Sequence, residues 1–158
     1  MRGKYTSEEI NQIVSQKIRI PFDKLWNIFV EDCKTMEVSQ EFLQTLHNLR
    51  NHYTVILITG NMDSFSRFTQ PALQLDKYFD EISNSFNEGV HKTDNKGEVF
   101  LKYANKYGVN IENCLVFDDS PNVQKTFLEL GGVPYLVTKG KSLGHHLEVL
   151  SARDASVR

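Results

Sequence analysis

The sequence reads CLVFDDSPNV at residues 114–123, a short apolar run that ends in two adjacent aspartates. Asp118 and Asp119 follow the run directly, and Pro121 then opens the next segment. Paired negative charge at the end of a buried strand is unfavourable unless a cation meets it, because burying an unpaired carboxylate is costly. The stretch therefore predicts a strand whose carboxyl end forms a cation site.

The composition of the 158-residue chain is typical of one ordinary globular domain. A formal charge of −2 does not favour nucleic acid or an anionic membrane as a partner. We find no apolar run long enough to span a membrane and no apolar core of a secretory signal. Cys33 and Cys114 lie outside any CxxC spacing. This favours reduced thiols and predicts a cytoplasmic location.

The first third of the chain has helical patterns. Thr6-Ser7-Glu8-Glu9 is typical of a helix start, and Pro21 and Ser39 begin two further patterns. The predicted apolar face of the first helix consists of Ile10, Ile13 and Val14. We therefore predict three helices before residue 53.

The remainder alternates between strand and helix patterns. Strands are predicted at 53–59, 81–86, 114–117 and 133–137, the last at an edge because of Pro134. Helices are predicted after Gly60, from Asn95 to Tyr107 and from Pro121 to Leu130, and Asn95 with Glu98 resembles a capping box. This alternation predicts a parallel sheet with helices on its faces.

Ligands of parallel sheets bind at the carboxyl ends of the strands. Thr59 ends the first strand, Asp118 and Asp119 end a later one, and Lys96 precedes a helix between them. Carboxylates suit Mg²⁺, and a lysine with a hydroxyl group suits phosphate. The three features predict a phosphate and magnesium site, with Lys92 as a competing candidate for the lysine.

Three motifs together resemble the haloacid dehalogenase (HAD) superfamily over roughly residues 53–137. LITGN at 57–61 resembles its motif II, NKGEVFLKYANKYGV at 95–109 its motif III region, and LVFDDSPNV at 115–123 its motif IV in the double-aspartate form. The resemblance implies an incomplete HAD-like α/β core at 53–150, with a Rossmann-like parallel sheet and flanking helices. It implies a helical cap or cap remnant at 1–52, and we expect a polar, frayed tail at 151–158.

The resemblance also implies an activity, the Mg²⁺-dependent hydrolysis of a small phosphorylated molecule through an aspartyl-phosphate. Thr59, Gly60 and Asn61 would bind the phosphoryl group, and Lys96 would neutralise it. Asp118 and Asp119 would hold Mg²⁺.

The sequence departs from the family in one respect, because it contains no DxDx(T/V) motif. In the family this motif ends the central strand and supplies the nucleophile. Its absence implies an inactive lone chain, in which the Thr59 and Asp118 strands lack their shared neighbour. A separate N-terminal fragment or a second copy of the chain would then complete the sheet. Asp23, after the β-like run at 17–22, is an internal candidate nucleophile, but Pro21 within that run favours a helix start instead.

Other interpretations stay open. The chain is alternatively a non-catalytic HAD-like remnant that binds phosphate or a protein. Asp118 and Asp119 would then merely cap the helix that follows them. The adjacent pair His145-His146 is interpreted as a surface feature, because neighbouring side chains point apart.

Overall fold

The computed structural model describes residues 2–155. It divides into two compact units, Met1–Val90 and His91–Arg158. The predicted boundary between residues 52 and 53 therefore falls inside the first unit. Of the predicted tail, residues 151–155 continue the last helix, and residues 156–158 lie outside the described part of the chain.

The first unit is helical until residue 49 and then contains a short parallel strand pair. Its helices are α1 (Ser7–Ile18), α2 (Phe22–Lys34), α3 (Gln40–Leu49), α4 (Gln70–Ala72) and α5 (Ser85–Glu88). Its strands are β1 (Ile56–Thr59) and β2 (Glu81–Asn84). A π-helical turn at Phe65–Thr69 leads into α4, and a 3₁₀ turn lies at Leu75–Lys77.

The predicted start of α1 is confirmed as a capping box. Thr6 Oγ1 accepts the backbone N–H of Glu9 at 3.1 Å, and Glu9 Oε2 accepts the backbone N–H of Thr6 at 2.8 Å. Pro21 and Ser39 likewise precede α2 and α3 directly, as predicted. The residues at these helix starts therefore predicted them correctly.

The predicted apolar face of α1 is wrong. Ile13 and Val14 are 43% and 37% exposed, whereas the buried residues of the helix are polar: Ser7, Asn11 and Ser15. The polar side of α1 instead faces a polar environment, in which the backbone N–H of Ser7 donates a hydrogen bond of 2.6 Å to the buried carboxylate of Asp63.

An ion pair joins the end of α3 to the strand pair. Arg50 donates from Nε and Nη2 to Asp80 Oδ1, at 2.9 and 2.7 Å, and from Nη1 to the carbonyl of Lys77. Asp80 Oδ2 accepts the backbone N–H of Val55 at 2.8 Å, just before β1. Because these bonds tie the helical segment to the strands, residues 1–90 form one compact unit.

The second unit repeats the strand and helix alternation. Its elements are α6 (Glu98–Lys106), β3 (Leu115–Asp118), α7 (Pro121–Glu129), β4 (Val133–Leu136) and α8 (Leu143–Ala155), with 3₁₀ turns at Asp94–Gly97 and Ile111–Asn113. Phe100 of α6 meets Phe127 of α7 edge to face, with ring centroids 4.9 Å apart. The other buried apolar residues of this unit, among the side chains that the structure describes, are Val99, Tyr103, Ala104, Val123 and Leu147.

The entry to α6 differs from the predicted capping box. Asn95, Lys96 and Gly97 all have positive φ, at 49°, 58° and 80°, so the chain makes a left-handed turn there. Gly97 is the residue at the helix cap, and Asn95 Nδ2 instead donates to Glu98 Oε2 at 3.1 Å. Left-handed backbone suits Asn and Gly, whereas for Lys96 it is strained.

The strand pairing is parallel, as predicted, but the strands form two separate sheets. β1 pairs with β2, Thr59 lying opposite Asn84, and β3 pairs with β4, Asp118 lying opposite Leu136. In residues 2–155, β1 and β3 each have one strand neighbour, so each leaves one edge without a strand partner. No helix within these residues is both long and apolar enough to cross a membrane.

Candidate functional site

The loop after β1 carries the predicted phosphate ligands of the first unit. Thr59 is the last residue of β1, and its Oγ1 accepts a hydrogen bond of 2.7 Å from Asn61 Nδ2. The backbone N–H of Asn61 donates to Asn84 Oδ1 at 3.2 Å. That N–H is therefore engaged within the protein, and Asn61 acts on Thr59 through its side chain.

Asn84 is a residue that the sequence analysis missed. It is 1% exposed at the end of β2, and its Oδ1 also accepts the backbone N–H of Phe86 at 3.3 Å. Its Nδ2 donates to the carbonyl of Met62 at 2.9 Å and to Ser66 Oγ at 3.1 Å. The only sequence signal was an asparagine at the end of a predicted strand, a position where a surface turn is equally expected.

A second polar cluster anchors the same loop to the helices of the first unit. Asp63 accepts hydrogen bonds from the backbone of Ser7 and from Arg67 Nη1, the latter at 2.9 Å. Arg67 also donates to Glu8 and lies 5.5 Å from the centroid of the Trp26 ring. Burial raises the pKa of Asp63, but the hydrogen bonds from Arg67 and Ser7 outweigh it and hold that pKa below the usual carboxyl value.

The acidic motif of the second unit is paired with a lysine. Asp118 ends β3, and its Oδ2 forms an ion pair with the ammonium group of Lys92. The side chain of Asp118 is 8% exposed and that of Lys92 is 24% exposed. Asp119, the next residue, is exposed. The structure thus gives the strand end both a cationic partner and a solvent-facing carboxylate.

Lys96 is not the lysine that contacts Asp118. Its backbone belongs to the left-handed turn before α6, and the residue is exposed. Lys92 is the lysine that contacts Asp118. The spacing to the helix start pointed to Lys96 because the sequence does not reveal the left-handed turn, which delays the start of α6 to Glu98.

The interpretation of the two aspartates as helix caps does not describe their contacts. Ser120 is the N-cap of α7, and no side chain caps that helix end. Asp118 Oδ1 accepts the backbone N–H of Ser120 at 2.9 Å, before the helix begins. Gln124 of α7 donates to the carbonyls of Asp118 and Tyr135 at 3.0 and 3.1 Å. The side chain of Gln124 thus holds the backbone of the strand end, while the Asp118 carboxylate pairs with Lys92 and that of Asp119 is exposed.

Asp23 and the pair His145-His146 are the two other candidates from the sequence. Asp23 lies in the first turn of α2 and is exposed, so it does not end a strand, and its interpretation as a nucleophile is wrong. His146 lies 3.2 Å from the carbonyl of Leu136 and packs near Tyr135, with ring centroids 5.6 Å apart. Of the two histidines, His146 therefore packs against β4, while His145 is exposed.

The donors at the end of β3 fit Mg²⁺ only as part of a coordination shell. Magnesium binds through one or two carboxylates together with waters and phosphate oxygens. Asp118 and Asp119 supply that number of carboxylates. No group of three or more His, Cys, Asp or Glu side chains that would suit a metal occurs among the described residues. Among the described residues, Asp118 and Asp119 would therefore hold Mg²⁺ only together with oxygen ligands from water or phosphate.

Comparison with known proteins identifies the class. Residues 4–130 match the haloacid dehalogenase-like hydrolase family, and the chain belongs to that family. None of the curated protein sequences matches it significantly.

Solved structures share the fold. A HAD family enzyme from Bacteroides thetaiotaomicron, an aspartate-to-alanine mutant in complex with magnesium and inorganic phosphate, is 20% identical with a TM-score of 0.74. The match covers 92% of this chain and 76% of that one. A predicted HAD-like family hydrolase from Porphyromonas gingivalis is 22% identical, with a TM-score of 0.70 and coverage of 94% and 75%.

Proposed function

We propose that the chain binds the phosphoryl group of a small phosphorylated molecule together with Mg²⁺, as a HAD-like phosphohydrolase by ancestry. The observation that carries this proposal is the ion pair between Lys92 and Asp118 at the carboxyl end of β3. A lysine held against a largely buried carboxylate supplies the positive charge that a phosphoryl group needs close to a metal ligand.

Each residue has a role in this proposal. Thr59 and Gly60 bind phosphoryl oxygens, and Lys92 neutralises phosphoryl charge, in place of the Lys96 of the sequence prediction. Asp118 and Asp119 would hold Mg²⁺, which when bound offsets the negative charge of the phosphate. The magnesium and phosphate complex of the Bacteroides thetaiotaomicron enzyme supports the pairing of these two ligands.

We further propose that this chain alone binds its ligand without turning it over. Phosphoryl transfer through an aspartyl-phosphate requires a carboxylate nucleophile. The sequence contains no DxDx(T/V) motif, and Asp23, the internal candidate, is exposed on a helix. Binding of phosphate and magnesium needs the groups named above together with water, whereas the covalent step needs a nucleophile motif that this sequence lacks.

A second candidate function rests on the strand edges. β1 and β3 each have one edge without a strand partner in residues 2–155, and such an edge can accept another strand. A separate fragment or a second copy of this chain would pair there. In this alternative the chain is a protein-binding module of HAD ancestry, and binding of the extended segment, rather than of phosphate, is its function.

The test measures binding and turnover on the same samples. Binding of inorganic phosphate with Mg²⁺ is followed by calorimetry, and hydrolysis of p-nitrophenyl phosphate is followed by absorbance. The wild-type chain is compared with Asp118→Asn/Asp119→Asn and with Lys125→Ala, a control whose side chain is 76% exposed. We expect binding that the double variant loses and the control keeps, with no hydrolysis.

Each other outcome is informative. Mg²⁺-dependent hydrolysis that disappears in the double variant would overturn the proposed inactivity. A folded wild-type chain that binds no phosphate would overturn the first proposal and favour the strand-binding function.

A further inference from the structure

We propose that Asn84 and Asn61 are positioning residues that turn the hydroxyl group of Thr59 into a hydrogen-bond donor for a phosphoryl oxygen. The inference rests on the proposed phosphate binding. It extends that proposal to Asn84, which has no assigned role, and gives Asn61 an indirect role in place of the direct phosphate contact predicted from the sequence. It follows from the hydrogen bonds of the first unit alone.

Asn84 has a side-chain orientation that its partners determine. Its Oδ1 faces two backbone N–H groups, those of Asn61 and Phe86, which can only donate. Its Nδ2 faces the carbonyl of Met62, which can only accept. With Ser66 Oγ as a fourth partner, the buried amide is fully bonded. Such a saturated amide fixes the backbone of residues 61 and 62 against β2.

Asn61 connects Asn84 to Thr59. With its backbone held by Asn84, Asn61 places its Nδ2 at 2.7 Å from Thr59 Oγ1. Ser85 Oγ lies 3.3 Å from the Asn61 carbonyl and restrains the same residue from a second side. A hydroxyl group has one donor and two acceptor sites. Because Asn61 occupies an acceptor site, the Thr59 proton remains available to donate.

The chemical consequence concerns charge. A phosphoryl oxygen accepts hydrogen bonds and does not donate them when the phosphate is ionised, so only a donating hydroxyl stabilises it. A free threonine hydroxyl rotates between donating and accepting arrangements. Asn61 and Asn84 exclude the orientations of the Thr59 hydroxyl group that accept instead of donate before the ligand binds. This lowers the entropy lost on binding.

The experiment is a double-mutant cycle read out as the dissociation constant of inorganic phosphate in the presence of Mg²⁺. Asn61→Ala removes the amide that donates to Thr59 Oγ1. Asn61→Asp replaces it with a carboxylate, which can only accept a hydrogen bond from the Thr59 hydroxyl group. Each variant is made in the wild-type background and in Thr59→Val, which lacks the hydroxyl group. Asn27→Ala and Asn27→Asp, at an exposed position of α2, are the matched controls.

We expect Asn61→Ala to weaken phosphate binding by about threefold to tenfold, the range of one neutral hydrogen bond. Asn61→Asp should weaken it by about tenfold more, because it also adds a negative charge beside the phosphate. In the Thr59→Val background, Asn61→Ala should change nothing further. Any loss of phosphate affinity that Asn61→Asp still causes in the Thr59→Val background is the effect of the added negative charge alone. Asn84→Ser keeps one polar group but loses the amide that bonds the backbone N–H of Asn61 and the carbonyl of Met62 together. The folded variant should reproduce the effect of Asn61→Ala.

The outcomes separate the two proposals. If the wild-type chain binds phosphate and the Asn61 variants bind it equally well, or lose the same affinity with Thr59→Val, the positioning role is wrong and phosphate binding stands. If the wild-type chain binds no phosphate, both fall together. Thermal unfolding of each variant shows whether an effect is local, since a positioning role predicts unchanged midpoints for the Asn61 variants.

Discussion

Lys92 pairs with Asp118 although 26 residues separate them along the chain. Lys96, four residues closer to Asp118 in sequence, lies on an exposed left-handed turn instead. The pair sets a cation beside a carboxylate that is 8% exposed, and this arrangement lowers the cost of burying the carboxylate. The two lysines therefore provide a matched comparison of a paired and an exposed ammonium group in one unit.

Lys92→Ala should weaken binding of inorganic phosphate by at least about tenfold, because it removes a charge-assisted contact. It should also lower the free energy of unfolding by about 1–3 kcal/mol, because Asp118 would lose its cationic partner. Lys96→Ala should change phosphate affinity less than about twofold, the range of an exposed charge. Calorimetry and urea unfolding measure the two effects. Equal losses of affinity in both variants would contradict the assignment of Lys92.

Lys96→Gly should stabilise the protein by about 1 kcal/mol, because a left-handed residue with a Cβ costs about that much. The φ angle of Lys96 is 58°. Lys96→Ala, which removes the charge but keeps the Cβ, is the control and should not stabilise. Urea unfolding at constant pH distinguishes the two variants. A gain of the same size in Lys96→Ala would show that charge, and not backbone strain, is the cause.

Gly97→Ala should destabilise the protein by about 2–3 kcal/mol, through strain and overpacking together. An added Cβ would lie 2.7 Å from Thr126 Cγ2 and 3.0 Å from Leu130 Cδ1, at a φ of 80°. Gly108→Ala is the control, because its φ is 66° but no heavy atom lies within 4 Å of the new Cβ. It should cost only about 1 kcal/mol. Comparable losses at both positions would mean that α6 and α7 are not in close contact at Gly97.

The stability of the first unit should fall in acid. Burial opposes ionisation of Asp80, but hydrogen bonds from Arg50 and Val55 outweigh it and lower the pKa of this carboxyl, as those from Arg67 and Ser7 do for Asp63. A lowered folded pKa gives stability that is present above the unfolded value of about 3.9. That stability is lost as the pH falls through the folded pKa.

The measurement is the free energy of unfolding between about pH 6 and pH 3. Asp80→Asn should be less stable than wild type at pH 6 and should lose less stability as the pH falls, because the variant lacks one of the two groups. An identical pH dependence in both proteins would show that Asp80 is not the group responsible.

Local chemistry explains why much of the fold could be predicted from sequence. The starts of α1, α2 and α3 depend on residues within one turn, and the continuous apolar runs of β1 and β3 indicate parallel strands. The inward face of α1 could not be predicted, because its buried polar residues meet partners that are distant in sequence, such as Asp63, 56 residues away from Ser7. The spacing of apolar residues along one helix does not reveal contacts with residues that are distant in sequence.

The candidate site shows the same division. Asp118 and Thr59 follow apolar runs directly, so their positions at strand ends could be read from the sequence and are confirmed. The choice between Lys92 and Lys96 depends on a left-handed turn that only the backbone angles reveal. Asn84 could not be distinguished from an exposed turn residue, because its importance comes from partners in the loop after β1.

The division of the strands into two separate pairs has a consequence for the order in which they form. Ile56 pairs with Glu81 and Leu115 with Val133, so both pairings close short loops, and no pairing in residues 2–155 joins the two units. The entropy cost of closing a loop grows only with the logarithm of its length, so neither closure requires residues from the other strand pair. Each unit should therefore acquire its strand pairing during synthesis as soon as its own residues have left the ribosome, without waiting for the other.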